Sequence, residues 1–113
     1  MTTYKLHYSP KAQRDMEKVW DGVWEALKDF DVADRYVDEF VDEIAKKKKV
    51  PKTGIPLYYQ GLFTGFYSIN FKAYKAFYRI KEEYVEVARI LPIKMDYLKI
   101  LFPEKESEDN REW

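Results

Sequence analysis

The apolar residues of this 113-residue chain change their period once, and that change limits the folds open to it. From Ala12 to Ile44 they recur every three or four positions, which is the spacing of one helical face. From Phe66 to Leu91 they recur every two, the spacing of one strand face. Helices grouped ahead of strands predict an α+β architecture, with a helical hairpin on one face of a mostly antiparallel sheet.

Local signals place the elements. Tyr4-Lys-Leu-His-Tyr8 alternates and predicts a short N-terminal strand. Ser9-Pro10 supplies an N-cap followed by a proline at the first helical position. Ala12, Met16, Val19 or Trp20, Val23, Leu27 and Phe30 then form a helical stripe, weakened at Gly22 by about 1 kcal/mol relative to alanine. Asp31 is placed to cap a second helix with the stripe Ala33, Tyr36 or Val37, Phe40 and Ile44. Its acidic residues Asp34, Asp38 and Glu39 precede the run Lys46–Lys49, each sign favourable for the helix dipole.

Val50 to Gly65 holds two prolines and three glycines and predicts a loop with a brief extended piece at Leu57–Tyr59. Phe66–Ala73, Tyr74–Ile80 and Tyr84–Leu91 predict three further strands, the last two joined through Lys81-Glu82-Glu83. Val85 and Val87 fall on one face of the last strand, Ala88 and Ile90 on the other, as in the middle of a sheet. Pro92 has no N–H and should end the ladder. The length suits one core, assigned to residues 1–102, and PEKESEDNREW at 103–113 reads as a charged, mobile tail.

The formal net charge of zero conceals a gradient. Residues 1–45 hold 6 Lys and Arg against 11 Asp and Glu, residues 46–102 hold 12 against 4, and the tail holds 2 against 5. A basic sheet half fits a polyanion or an acidic peptide, and equally an internal attraction between an acidic helical half and a basic sheet.

Several chemistries lack their residues. Gly61 and Gly65 do not lie between a strand and a helix, as a phosphate-cradling loop requires. One His and no Cys argue against a transition-metal site, and no cofactor is expected. His7 lies in an alternating strand and reads as a packing residue, not as the base of a triad. No basic-then-apolar leader and no long apolar window occur, so the expectation is a soluble cytoplasmic protein without membrane partners. What remains is a set of cations and phenols from the sheet strands and their ends: Lys72, Tyr74, Lys75, Tyr78, Arg79, Arg89, Lys94 and Tyr97. Such a set binds phosphates and stacks on bases, or simply covers the edge of a core.

The element order, together with "FKAYKAFYRIKEEYVEVARILPIKMDYLKIL" and the opening "YKLHYSPKAQRDMEKVW", resembles the RelE/ParE superfamily of bacterial type II toxins across residues 4–102. The resemblance implies a toxin neutralised by a cognate antitoxin, with operator DNA contacted only through that antitoxin. The activity it implies is that of a ribosome-dependent, metal-independent mRNA endonuclease, with a non-enzymatic inhibitor of DNA gyrase that binds through the helical hairpin as the alternative. A relative that only binds the antitoxin is the third form.

For the nuclease, the resemblance assigns Arg79 and Lys94 to charge stabilisation, Tyr97 to proton transfer, and Lys72, Tyr74, Lys75 and Arg89 to RNA binding. The pattern departs from the nuclease branch at three places. Pro92 stands where relatives carry His or Tyr, Lys94 where they often carry Arg, and Tyr67 at a position where Arg is common. Lysine cannot make the bidentate phosphate contact of arginine.

Overall fold

Ser9 begins the helical layer as its sequence suggests. In the computed structural model, which describes residues 3–102, its hydroxyl accepts the Ala12 N–H, and Pro10 opens helix α1, Pro10–Leu27. Lys28 ends α1 in the left-handed conformation, with φ 52°. Asp29, not Asp31, caps the next helix: its carboxylate accepts the N–H groups of Asp31 and Val32. Helix α2, Phe30–Ala45, therefore restarts almost at once, and Phe30 belongs to α2 and not to the α1 stripe. Lys46–Lys48 continue as a 3₁₀ turn in which Lys46 pairs with Glu43 at 2.8 Å.

The sheet has five strands: β1 Lys5–Tyr8, β2 Ile55–Tyr59, β3 Leu62–Phe71, β4 Tyr74–Lys81 and β5 Tyr84–Pro92. Their order is β1-β5-β4-β3-β2, antiparallel except for the β1–β5 pair. Four strands thus follow the helices where the sequence predicted three. The extra one, β2, grows from the brief extended piece expected at Leu57–Tyr59 in the tract otherwise read as loop. Its Pro56 is tolerated because β2 is an edge strand, with no neighbour to receive an N–H on its outer side. Gln60 and Gly61, at φ 54° and 81°, make the two-residue turn into β3, a geometry that glycine adopts without strain. The ladder ends at Pro92, as its missing N–H requires.

Helices α1 and α2 pack on one face. Ala12, Val19, Phe40 and Ile44 meet Ala76, Tyr78, Val85, Val87 and Ile90 there. Ile90 was expected on the face opposite Val85 and Val87. A bulge in β5 brings it over: Tyr78 pairs with Val87 and Phe77 with Arg89, so Ala88 is the extra residue and the side-chain alternation resets. Gly22 has its own tertiary cause. A Cβ there would sit 3.0 Å from the Tyr74 hydroxyl, which crosses the helix at that point.

The other face is not left bare. Phe66, Phe77 and Leu91 form a second cluster, covered by Tyr97, Ile100, Leu101 and Phe102. The first three of those covering residues lie in a short helix, α3, Tyr97–Leu101, which the sequence reading did not anticipate. The expected mobile tail, 103–113, lies outside the described residues. Among the described residues no helix is long and apolar enough to cross a membrane.

Candidate functional site

β1 is shorter than β5, and the site grows from that mismatch. Beyond Tyr8 the outer edge of β5 has no strand partner, and the start of α1 takes its place. The Ser9 hydroxyl donates to the Ala88 carbonyl at 2.9 Å. One turn and a half later, Asp15 accepts the Ile90 N–H at 2.9 Å. The same carboxylate holds Arg89 in a two-pronged pair, at 2.7 Å from Nε and 3.0 Å from Nη2. Asp15 is only 6% exposed. Its hydrogen bonds to Arg89, with the carboxylate charge, raise the guanidinium pKa against the opposing effect of burial.

Arg89 thereby faces a cleft of about 740 Å³ between the start of α1, the middle of the sheet and α3. Its cations are Lys11, Arg14, Arg79 and Arg89, and its apolar wall includes Phe66 and Phe102. Arg79 lies over the Phe66 ring, 5.3 Å from its centroid, and donates from Nε to Glu86 directly across the β4–β5 ladder at 2.9 Å. Lys81 approaches the same Glu86 oxygen at 3.3 Å. Burial alone would raise the Glu86 pKa. The hydrogen bonds and charges of Arg79 and Lys81 together outweigh it and hold the carboxyl below its ordinary value. Lys11 and Arg14 are exposed and have no ion-pair partner among the described residues.

The sequence-predicted site residues fall into three groups. Arg79 and Arg89 share the cleft just described. Lys75 and Tyr97 meet beside it: the Lys75 ammonium is 5.8 Å from the Tyr97 ring centroid, and Tyr97 packs on Phe77 at 5.1 Å. Burial lowers the Lys75 pKa. Lys72, Tyr74 and Lys94 line a separate hollow of about 430 Å³ near the β3–β4 turn. There Lys72 reaches Glu39 of α2 at 3.6 Å, and Tyr74 packs edge-on against Tyr36.

Arg79 thus lines the first cleft and Lys94 the second hollow, and Tyr97 lines neither. Tyr78 is fully buried beneath the helices and donates its hydroxyl proton to the Pro51 carbonyl at 2.5 Å. The cations and phenols singled out from the sequence are therefore divided between both sides of the sheet.

Sequence reasoning missed Lys11, Arg14, Asp15 and Glu86. Asp15 carried a usable signal, because it occupies the buried stripe Ala12, Asp15, Val19, Val23, and a carboxylate there demands a partner. Glu86 could be paired with Arg79 only once the register was known. No group of three or more potential metal-ligating side chains occurs among the described residues.

A second surface lies at the far end of the helical hairpin. Phe30 stacks between Trp20 and Trp24, each centroid 5.7 Å away, and Lys28 lies over Trp24 at 4.3 Å. Trp20 donates its indole N–H to Asp34, tying α1 to α2. The stack braces the turn, yet Phe30 remains 61% exposed and Leu27 57%.

Solved structures of similar fold include the following three. The chain is 18% identical to the chromosomal ParDE toxin–antitoxin system from P. aeruginosa, covering 81% of this chain and 98% of that one with a TM-score of 0.68. For the toxin–antitoxin complex RelBE2 from Mycobacterium tuberculosis the figures are 20%, 80%, 99% and 0.59. For the YoeB/ParE toxin from Agrobacterium tumefaciens they are 21%, 78%, 96% and 0.54. At such identities the likeness concerns the fold. No curated protein sequence matches. The family model described as the ParE toxin of the type II toxin–antitoxin system, parDE, matches residues 6–97.

Proposed function

This chain belongs to the ParE toxin family of type II toxin–antitoxin systems, and from that premise we propose that it poisons its target by binding, without cleaving RNA. An antitoxin is its natural partner, in keeping with the toxin–antitoxin complexes of similar fold. The target proposed is DNA gyrase, engaged through the end of the helical hairpin.

One observation carries this reading: the hairpin end presents Leu27 and Phe30 to solvent on a rigid aromatic stack. Aromatic anchors pre-ordered in this way supply contact area at little conformational cost. A nuclease, by contrast, needs its acid, base and phosphate-neutralising groups within hydrogen-bond reach of one scissile bond. Arg79 and Lys94 line different hollows, and the Arg79 and Arg89 charges are already met by Glu86 and Asp15.

The test is induced expression without the antitoxin, following plasmid supercoiling and protein synthesis in parallel. Loss of negative supercoiling while synthesis continues is the expected result. The double variant Leu27→Ser, Phe30→Ala, with its fold checked by circular dichroism, should lose toxicity. Early arrest of synthesis with intact supercoiling overturns the proposal, as does harmless overexpression, which would leave only antitoxin binding.

One observation favours mRNA cleavage as a second reading. Lys75 adjoins Tyr97 beside a basic cleft, and burial disfavours its charged form. In that reading Tyr97 transfers the proton, Arg79 and Lys94 stabilise charge, and Lys72, Tyr74, Lys75 and Arg89 hold the RNA. Tyr97→Phe separates the two: it abolishes toxicity if RNA is cleaved and leaves it unchanged if the hairpin does the work.

A further inference from the structure

The hairpin reading leaves the cleft between α1, β5 and α3 without a role, yet its charges are unbalanced. Lys11, Arg14, Arg79 and Arg89 line it, and Lys81 joins Arg79 on Glu86. Against these five cations stand two carboxylates, Glu86 and Asp15, which leaves a surplus of three positive charges. Lys11 and Arg14 have no ion-pair partner among the described residues. Arg79 gives only Nε to Glu86, and Arg89 gives Nε and Nη2 to Asp15, so both guanidinium groups keep N–H donors for a ligand. The first turn of α1 also lines the cleft, and the positive end of its dipole adds to the field.

Two further features narrow the ligand. Glu86 meets Arg79 and Lys81 through the same oxygen, Oε1, so its Oε2 is an acceptor with no hydrogen bond among the described residues. A bare phosphate gains nothing from a carboxylate acceptor, whereas the hydroxyl groups of a ribose are donors that use one. The apolar wall of Phe66, Leu101 and Phe102 offers cover for a flat base, and about 740 Å³ is ample for one small organic ligand. We infer that the cleft binds a nucleoside 5′-diphosphate, its phosphates among Lys11, Arg14 and Arg79, its ribose at Glu86 and its base against the apolar wall. Such a ligand carries about three negative charges, nearly two of them on the terminal phosphate, and so matches the surplus. Arg79 and Lys81 hold the Glu86 carboxyl below its ordinary range, which keeps it an acceptor at neutral pH. A single nucleotide suits the cleft better than a nucleic-acid strand, because Lys72 and Lys94, two cations a passing strand would use, line a separate hollow. This inference concerns the cleft and is independent of the hairpin's target.

Calorimetric titration of the full-length protein with ADP tests the assignment. ADP should bind with a dissociation constant below about 0.1 mM, and AMP and pyrophosphate each about tenfold more weakly. 2′,3′-Dideoxy-ADP, which has no diol for Glu86, should also lose about tenfold. Lys11→Ala combined with Arg14→Ala should weaken ADP at least about tenfold. Both side chains are exposed, so the variant should keep its fold, which circular dichroism checks. Amide shift changes on adding ADP should concentrate at Lys11, Arg14, Arg79 and Ala88 and spare Trp24 and Leu27.

Two other anions serve as controls at equal ionic strength: a single-stranded oligoribonucleotide and hexaglutamate, both of which should bind more weakly than ADP. Absence of ADP binding at about 1 mM, shifts located elsewhere, or affinity unchanged in the double variant would each overturn the proposal. So would pyrophosphate or dideoxy-ADP binding as tightly as ADP, since the cleft would then read phosphate alone. Tighter binding of the oligoribonucleotide would make an RNA strand the occupant instead, and tighter binding of hexaglutamate an acidic peptide.

Discussion

Replacing Asp15 with alanine should be the most damaging single change on the α1–β5 boundary. Two consequences set its size. The Ile90 N–H, buried in the core edge, loses its acceptor, which costs about 1–3 kcal/mol. Arg89 loses both prongs of its carboxylate pair, and breaking a fully buried pair costs about 3–5 kcal/mol. The Arg89 side chain is 23% exposed, however, and water recovers part of that loss. Since the two effects share one carboxylate they do not add, and a total of about 3 kcal/mol follows.

In urea unfolding this should lower the midpoint by about 2 M with an unchanged slope, taking a slope of about 1.5 kcal/mol per molar. The melting temperature should fall by roughly 12–20 °C. Asp15→Asn keeps an acceptor for Ile90 and should cost about half as much. Arg89→Ala made in the Asp15→Ala background should cost far less than in the parent, because the pair is already broken. A midpoint shift below about 0.3 M for Asp15→Ala would refute the reasoning. It would mean that water or a rearranged β5 edge replaces the carboxylate at no cost.

Gly54 lies so close to Tyr78 that an added Cβ would be 2.3 Å from its hydroxyl and 3.0 Å from the Ser68 carbonyl. Gly54→Ala should therefore destabilise by about 1–3 kcal/mol in urea melts, and by less in a Tyr78→Phe background, where the nearer atom is gone. Burial pushes the Tyr8 and Tyr78 phenols up from 10 to about 12. Their folded-state values are raised, so their contribution to stability is complete below pH 10 and is lost as pH climbs towards 12. Thermal melts between those values should show a steep decline that Tyr8→Phe and Tyr78→Phe each make shallower. Tyr8→Phe should also be nearly neutral at pH 7, because its buried hydroxyl has no partner among the described residues.

Features that depend on near neighbours were legible in the sequence. Ser9-Pro10 marked the start of α1, and the helical stripes emerged at their 3.6-residue spacing, except that Leu27 and Phe30, read as the end of the first, stand exposed at the hairpin turn. The turn at Glu82–Glu83 and the stop at Pro92 followed from local chemistry. The tract from Val50 to Gly65, of which only the extended piece at Leu57–Tyr59 was read as strand, was under-read for an identifiable reason. Proline and glycine argue against a central strand, and nothing local announced that β2 would be an edge strand joined by a tight Gln60-Gly61 turn. Asp29 displaced Asp31 as cap because the chain reversed within a single left-handed residue, Lys28.

The candidate site was less legible, since its residues come together through register. Strand period alone put Ile90 with Ala88, and one extra residue in β5 moved it to the helix side. Arg89 and Asp15 are 74 positions apart, and their pairing exists because β1 stops short and α1 closes the exposed edge. Lys94 and Arg79 looked equivalent along the chain but line separate hollows.

The sequence by itself determined the helical hairpin, most of the strands and the uneven distribution of charge, because periodicity and turn chemistry are short-range constraints on the backbone. Tertiary structure alone decided which cations share a cleft, which are answered by a carboxylate and which remain available. Strand register, a bulge and the covering of a sheet edge are long-range outcomes of packing the whole chain, and a single-residue shift in any of them reassigns every side chain beyond it.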